Sequence, residues 1–387
     1  IKKNENGEPV KLGWITLPSF YADMDRHQKS TTRDVLQLLK RLKKENISGL
    51  VVDLRRNGGG SLEEAIALTG LFLKSGPIVQ TKSSNGNIVV SSDPDPGIAY
   101  SGPMIVLTSR QSASASEIFA AALQDYGRAL IVGDKNTFGK GTVQTILEIG
   151  RFTSLLGSRS QEDGALKLTI QKLHGVASDI VLPTLSDLPE FGEGALKNCL
   201  PYDEVPKARY SKWSEGRGLF IDELKRRSEA RVQGNPEFHY VMEDMDRLRK
   251  RLDENRISLN EDTRKTELNE DKIRKETRAK ERLARHDEQM QMIRLTLDNV
   301  DKPNLQPILF PGNLAANKKN GNNKVAPEAA EDSDSESDAS PSNDDGTKDP
   351  AIDPERDETL NILKDLVDLN RAPTTASTTA SPPPPPN

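Results

Sequence analysis

Short, nearly unbroken apolar runs alternate with amphipathic stretches through the first half of the chain. Leu12 to Leu17, Gly49 to Leu54, Met104 to Leu107 and Ala129 to Val132 read as buried strands. Between them, Ser30 is placed to cap a helix striped by Val35, Leu38, Leu39 and Leu42. Leu62 to Leu73 reads as a second helix, and Ile118, Phe119, Ala122 and Leu123 recur at the spacing of a third. Strands alternating with helices predict an α/β layer.

Beyond Pro183 the apolar signal thins. Gly218 to Val232, Glu237 to Leu252 and Glu261 to Leu297 are rich in charge, with sparse stripes such as Val241, Met245, Leu248 and Leu252. They predict solvated helices packed loosely on the core, with a docking surface for an adaptor or a second protomer as the sharper reading. Pro311 to Pro354, with the acidic serine-rich tract Glu331 to Asp338, lacks the apolar surface to offset its ordering entropy and is expected to be disordered. Glu358 to Leu369 regains a stripe in Leu360, Leu363 and Val367, predicting a short helix that docks back. Ala372 to Asn387 ends in a polyproline run that should be extended. The chain therefore divides into a core over 1–185, a helical region over 186–310, an acidic linker over 311–353, a docking helix over 354–371 and a proline-rich tail over 372–387.

Composition narrows the function. A hydrophobic content of 34% with 4% aromatics over 387 residues is low for a fully packed chain, so part of it is not globular. A net charge of −5 argues against a general nucleic-acid role. Cys199 is the only cysteine, which excludes an intramolecular disulfide and a cysteine-based metal cluster. No apolar run is long enough for a transmembrane helix.

The densest chemical signal lies between Ser112 and Lys140. Ser112, Ala113, Ser114, Ala115 and Ser116 precede the Ile118 helix, and an isolated lysine follows one helix and one strand later. Serine before a helix is ordinarily an N-cap. It also suits a nucleophile, because small neighbours admit a substrate backbone and a helix start offers free N–H groups to an oxyanion. A hydroxyl needs a base to take its proton, and a lysine serves once apolar surroundings disfavour its charged form. Lys140 stands among Phe138, Gly139, Gly141 and Val143. Upstream, Asn57, Gly58, Gly59 and Gly60 form a tight turn between a strand and a helix, suited either to a plain connection or to half of an oxyanion hole. A phosphate loop fails, because five residues separate Gly133 from Gly139 and Gly141 follows the lysine. A Ser-His-Asp triad fails too, since none of His27, His174, His239 and His286 has a matching context.

Three blocks together resemble the carboxyl-terminal processing, or tail-specific, protease family. They are DLRRNGGG from Asp53 to Gly60, SASASEIFAAALQDYGRALIVGD from Ser112 to Asp134, and TFGKGTVQ from Thr137 to Gln144, in the family's order. Looser similarity to the proteobacterial branch runs through Leu166 to Pro183 and into the charged region from Leu200. The resemblance implies a crotonase-like (ClpP/crotonase) α/β protease core followed by a charged helical region and a disordered tail. It implies Ser114 as nucleophile, Lys140 as general base, Gln144 as the residue orienting that base, and the amides of Gly60 and Ala115 as oxyanion donors. Asp125 matches an acidic position grouped with the site, although its setting favours structural support through a salt bridge or cap. No metal or other cofactor is implied.

Three departures from the family pattern stand out. Ser114 and Lys140 are 26 residues apart, one more than usual, with Asp134 to Asn136 as the place of the insertion. A polar hairpin is shortened where Lys172 runs through Leu173 and His174 to Gly175, and Ser178 replaces a proline. The chain starts at Ile1 without the PDZ module that engages substrate tails in the family, so it reads as a fragment of a longer, exported precursor. The implied function is a serine endopeptidase of the bacterial periplasm acting on proteins with apolar C-terminal tails, with an adaptor or a second copy as further partners. The competing readings are an inactive scaffold and, ranked lowest, an acyl-CoA activity of crotonase type.

Overall fold

The computed structural model describes residues 2–3, 9–23, 29–83, 85–143, 164–166, 175–199, 205–213, 218–285, 291–305, 307–308 and 352–371. Two short strands, β1 (Lys2–Lys3) and β2 (Pro9–Val10), pair antiparallel at the start. The core is a five-stranded sheet of β3 (Leu12–Thr16), β4 (Gly49–Asp53), β7 (Met104–Thr108), β8 (Leu130–Gly133) and β11 (Ile180–Val181). Its order is β11-β8-β7-β4-β3 and every neighbouring pair is parallel. Every residue of β4, β7 and β8 is buried, as expected for parallel strands covered on both faces.

Side chains alternate across that sheet with the two-residue period of a strand. Leu50, Val52, Met104, Val106 and Ile131 point to one face and join a core with Val35, Leu39, Ala65, Leu68 and Phe119. The helices on this face are α1 (Thr31–Lys44), α2 (Leu62–Gly70) and α3 (Ala115–Asp125). Ser30 caps α1 by accepting from the Arg33 N–H at 3.3 Å, as its sequence position predicts.

The other face is covered from far along the chain. Val51, Ile105, Leu107, Leu130 and Val132 pack against Leu224 of α4 (Ile221–Gly234), Phe238 of α5 (Pro236–Glu254) and Leu360, Ile362, Leu363 and Leu366 of α7 (Pro354–Arg371). On α7, Leu360, Ile362, Leu363, Leu366 and Val367 are all buried. Each such side chain contributes roughly 1.5–3 kcal/mol by leaving water, so α7 is an integral layer of the core. Arg231 of α4 locks it further, pairing with Glu358 at 2.8 Å and Asp365 at 2.7 Å. Whereas α7 reads from its own stripe as a separate docking helix, the expectation of loosely packed helices is thus corrected for α4. It fits α6 (Glu261–Ala284), whose surface is largely exposed and which meets α5 through ion pairs such as Arg278 with Asp244.

Other differences are local. The charged stretch expected to be helical through Leu297 has its described helix end at Ala284, and β12 (Met292–Ile293) pairs antiparallel with β13 (Pro307–Ile308). A second sheet runs β6-β5-β10-β9. Its strands β5 (Pro77–Lys82), β6 (Ile88–Ser92), β9 (Thr142–Val143) and β10 (Gly164–Leu166) have no counterpart in the sequence reading apart from the edge of the Leu166 run. The expected disorder of the acidic linker up to residue 351 and of the tail, the shortened hairpin at Leu173 and His174, and Gln144 lie outside the described residues. Ser178, standing where a proline was expected, donates its hydroxyl to the Asp134 carbonyl at 2.6 Å and ties down the insertion site.

Candidate functional site

Ser114 lies at the junction of β7 and α3, in a backbone conformation that L-residues rarely adopt. Its φ of 56° and ψ of −115° turn the chain sharply just before the first residue of the helix. Such strain persists only where its surroundings enforce it, and it collects at functional positions. A strained strand-to-helix turn of this kind exposes the nucleophilic serine of α/β-hydrolases. The enforcing contacts are visible. Ala113 donates its N–H to the Asn57 carbonyl at 3.2 Å, Ser116 donates its hydroxyl to that same oxygen at 2.8 Å, and Ser112 donates its hydroxyl to the Leu54 carbonyl at 2.8 Å.

The glycine turn packs directly against this elbow. Gly59 has a φ of 109°, and a Cβ there would stand 2.8 Å from the Ser114 Cβ and 3.1 Å from the Ala115 nitrogen. Gly60, with a φ of 143°, would place a Cβ 2.2 Å from the Phe20 carbonyl oxygen. Only glycine fits both. The turn is braced by Asn57, fully buried, which donates from Nδ2 to the Leu17 carbonyl and accepts the Gly59 N–H on Oδ1, both at 2.9 Å. Among the described residues, neither the Gly60 nor the Ala115 N–H is donated to a partner. Two free amides therefore flank the serine, one from a turn and one from a helix start, an arrangement able to hold a developing oxyanion.

Lys140 reaches the same place through a buried carboxylate that sequence reasoning did not single out. Glu117, one turn into α3, is fully buried. Its Oε2 accepts the N–H of Ser114 at 2.8 Å and that of Lys140 at 2.9 Å. Its Oε1 accepts the Gly139 N–H at 2.7 Å and the Thr137 hydroxyl at 2.5 Å. The backbones of serine and lysine thus meet on one oxygen atom. Burial pushes the Glu117 carboxyl up to about 7, against the pull of these four donors. Thr137 in turn accepts the Val176 N–H at 2.8 Å, anchoring the lysine turn to the segment before β11. The signal for Glu117 was available: serine followed three residues later by glutamate is the spacing of a capping box.

Asp125 does not join this group. It ends α3, ten residues past Ala115, which at the rise of a helix is roughly 15 Å from the elbow. Its Oδ2 is buried without a hydrogen-bond partner among the described residues. Burial raises its carboxyl to about 6, with Lys207 acting in the opposite direction. Among the described residues no cluster of His, Cys, Asp or Glu is placed to hold a metal ion, and no helix is long and apolar enough to cross a membrane.

Comparison with known proteins bears on these same segments. Residues 11–178 match the model of peptidase family S41, and residues 187–368 match the model of the C-terminal domain of tail specific protease. The tail-specific protease of Haemophilus influenzae is 40% identical over 285 residues, covering 70% of this chain and 39% of that protein. A carboxy-terminal-processing protease of Bartonella bacilliformis is 36% identical over 194 residues, 47% of this chain and 41% of its own. Among solved structures, a photosystem II D1 C-terminal processing protease matches at 29% identity over 44% of this chain and 42% of that one, with a TM-score of 0.35. The chain spans about two fifths of the length of these curated relatives. It belongs to peptidase family S41 and carries, after that region, the C-terminal domain of tail-specific proteases.

Proposed function

We propose that this chain is the catalytic part of a serine endopeptidase that cleaves proteins selected by apolar C-terminal tails, in the bacterial periplasm. The observation that carries the reading is the strained Ser114 elbow, flanked by the free amides of Gly60 and Ala115 and joined to the lysine turn through Glu117. Ser114 Oγ attacks the scissile carbonyl carbon while its proton passes to the Lys140 amine, a role that requires the amine in its neutral form. The carbonyl oxygen, now negative, is held by the Gly60 and Ala115 N–H groups. Collapse of the adduct breaks the C–N bond, and the Lys140 proton leaves with the amine. Water then attacks the ester, returns a proton to Ser114 through Lys140, and frees the carboxylate. Family membership over residues 11–178 supports the chemistry, and the similarity to tail-specific proteases supports the choice of substrate.

The test is cleavage of an unfolded reporter with an apolar C-terminal tail, by the full-length protein and by residues 1–387, each with Ser114→Ala and Lys140→Ala. Loss of cleavage in both full-length variants is the expected result. Activity of the shorter chain then tells whether it works alone or serves as a binding module. Full-length cleavage that survives both substitutions sinks the mechanism.

A further inference from the structure

Arg55 sits between the end of β4 and Asn57, in the turn that leads to Gly59 and Gly60. Its guanidinium is shared among three carboxylates. Asp53 takes Nε at 3.1 Å and Nη2 at 2.8 Å, which would already satisfy one edge of the fork. The remaining edge goes to α7: Asp353 accepts from Nη1 at 3.0 Å and Nη2 at 2.8 Å, and Glu355 accepts from Nη1 at 3.4 Å. Asp353 is fixed in its turn by the Arg356 N–H, which it accepts at 2.9 Å as the cap of α7. The Arg55 backbone is engaged as well. Its carbonyl accepts the Ser109 hydroxyl at 2.5 Å, in the loop that runs into the serine cluster.

We infer that Asp353 and Glu355 are positioning residues for the proposed catalytic site: by completing the partners of Arg55 they fix the turn that presents the Gly60 amide beside Ser114. This rests on the reading of Ser114 and Gly60 given above. Docking of α7 does not need this cluster, because five buried apolar side chains and the Arg231 pairs already hold the helix. A guanidinium held on both edges has one orientation, whereas one held only by its neighbour Asp53 can swing with the turn. The path from α7 to the oxyanion is short: Arg55, then Asn57, whose side chain holds Gly59 and whose carbonyl holds Ala113 and Ser116.

The experiment compares the full-length protein with D353N/E355Q, Asp353→Glu and Leu366→Ala, reading kcat, KM and Tm separately on the unfolded reporter. A displaced oxyanion turn should lower kcat in D353N/E355Q on the order of tenfold to a hundredfold. KM should stay within about twofold, since ground-state binding is untouched. Asp353→Glu, which keeps the charge, should recover most of the rate. Leu366→Ala removes core packing far from Arg55, so it should lower Tm by more than D353N/E355Q does while leaving kcat within about twofold wherever it is folded. The inference is overturned if D353N/E355Q keeps its kcat, or if its rate falls only in step with its Tm as in the packing variant. Ser114→Ala separates the two levels: cleavage that survives it overturns this inference together with the proposed function, whereas a dead Ser114→Ala beside a fully active D353N/E355Q overturns this inference alone.

Discussion

Replacing Glu117 with glutamine keeps the shape of a buried side chain and removes its ability to ionise, which sets two physical effects against each other. In the wild type all four neighbours of the carboxylate point donors at it. Glutamine can offer its amide group to the Thr137 oxygen only by turning it toward the Gly139 N–H as well. One hydrogen bond is lost and one buried donor is left facing another, costing about 1–3 kcal/mol. Against this stands the burden of burying a charge. The folded carboxyl titrates at about 7 and the unfolded one at 4.5, so between those values the folded state keeps a proton that the unfolded state has released. Stability from this group is therefore complete below 4.5 and is lost as pH rises through about 7. The interval corresponds to about 3 kcal/mol. Denaturant unfolding at pH 5 and at pH 8 should show E117Q less stable than wild type at the lower pH, with the gap closing or reversing at the higher. Activity should behave differently, falling by roughly tenfold or more at both, because the lysine turn loses the Gly139 anchor. A gap that widens with pH would refute the reasoning, since it would mean that the four donors hold the carboxyl below its ordinary value.

Ser114→Gly should abolish cleavage and yet raise stability. Relief of a strained φ contributes about 1–3 kcal/mol and the extra freedom of unfolded glycine removes up to about 1 kcal/mol. The net gain should appear as a higher Tm in calorimetry, and a lower Tm would mean that the elbow stores no strain. Asp125→Asn should gain on the wild type as pH rises. The folded carboxyl is raised from 3.8 to about 6, so wild-type stability is lost as pH rises through that value, while the amide does not titrate. Unfolding midpoints of the two proteins that run parallel from pH 4 to pH 7 would contradict the burial of an unpartnered oxygen.

One face of the fold was legible in the sequence and the other was not, for a reason visible in particular residues. Leu50, Val52 and Val106 find their partners in α1, α2 and α3, which lie in the same stretch of chain, between residues 31 and 125, and carry apolar stripes. Val51, Ile105 and Leu107 are covered by Leu224 and Phe238, single apolar side chains within charged helices, and by Leu363, far downstream. With only Phe238 and Met245 buried, α5 gives little periodicity to read, and no local pattern reports contact across three hundred residues. The same division holds at the site. The serine cluster, Lys140 and the glycine turn stood out because their residue types carry the chemistry, and the family resemblance picked out Ser114, Gly60 and Ala115 within them. Glu117 and Arg55 were not singled out, because what matters about each is the set of groups that converge on it.

The placement of α7 also governs the order in which the molecule can be made. Strands β4, β7 and β8 emerge from the ribosome long before the helix that covers Val51, Ile105, Leu107, Leu130 and Val132. Until synthesis passes residue 371, the nascent sheet carries an open apolar face of the kind that slow folding and aggregation favour. Such an intermediate stays exposed to aggregation until α7 docks. The same placement means that the turn carrying Gly59 and Gly60 gains Asp353 and Glu355 as partners of Arg55 only after most of the described chain has been made.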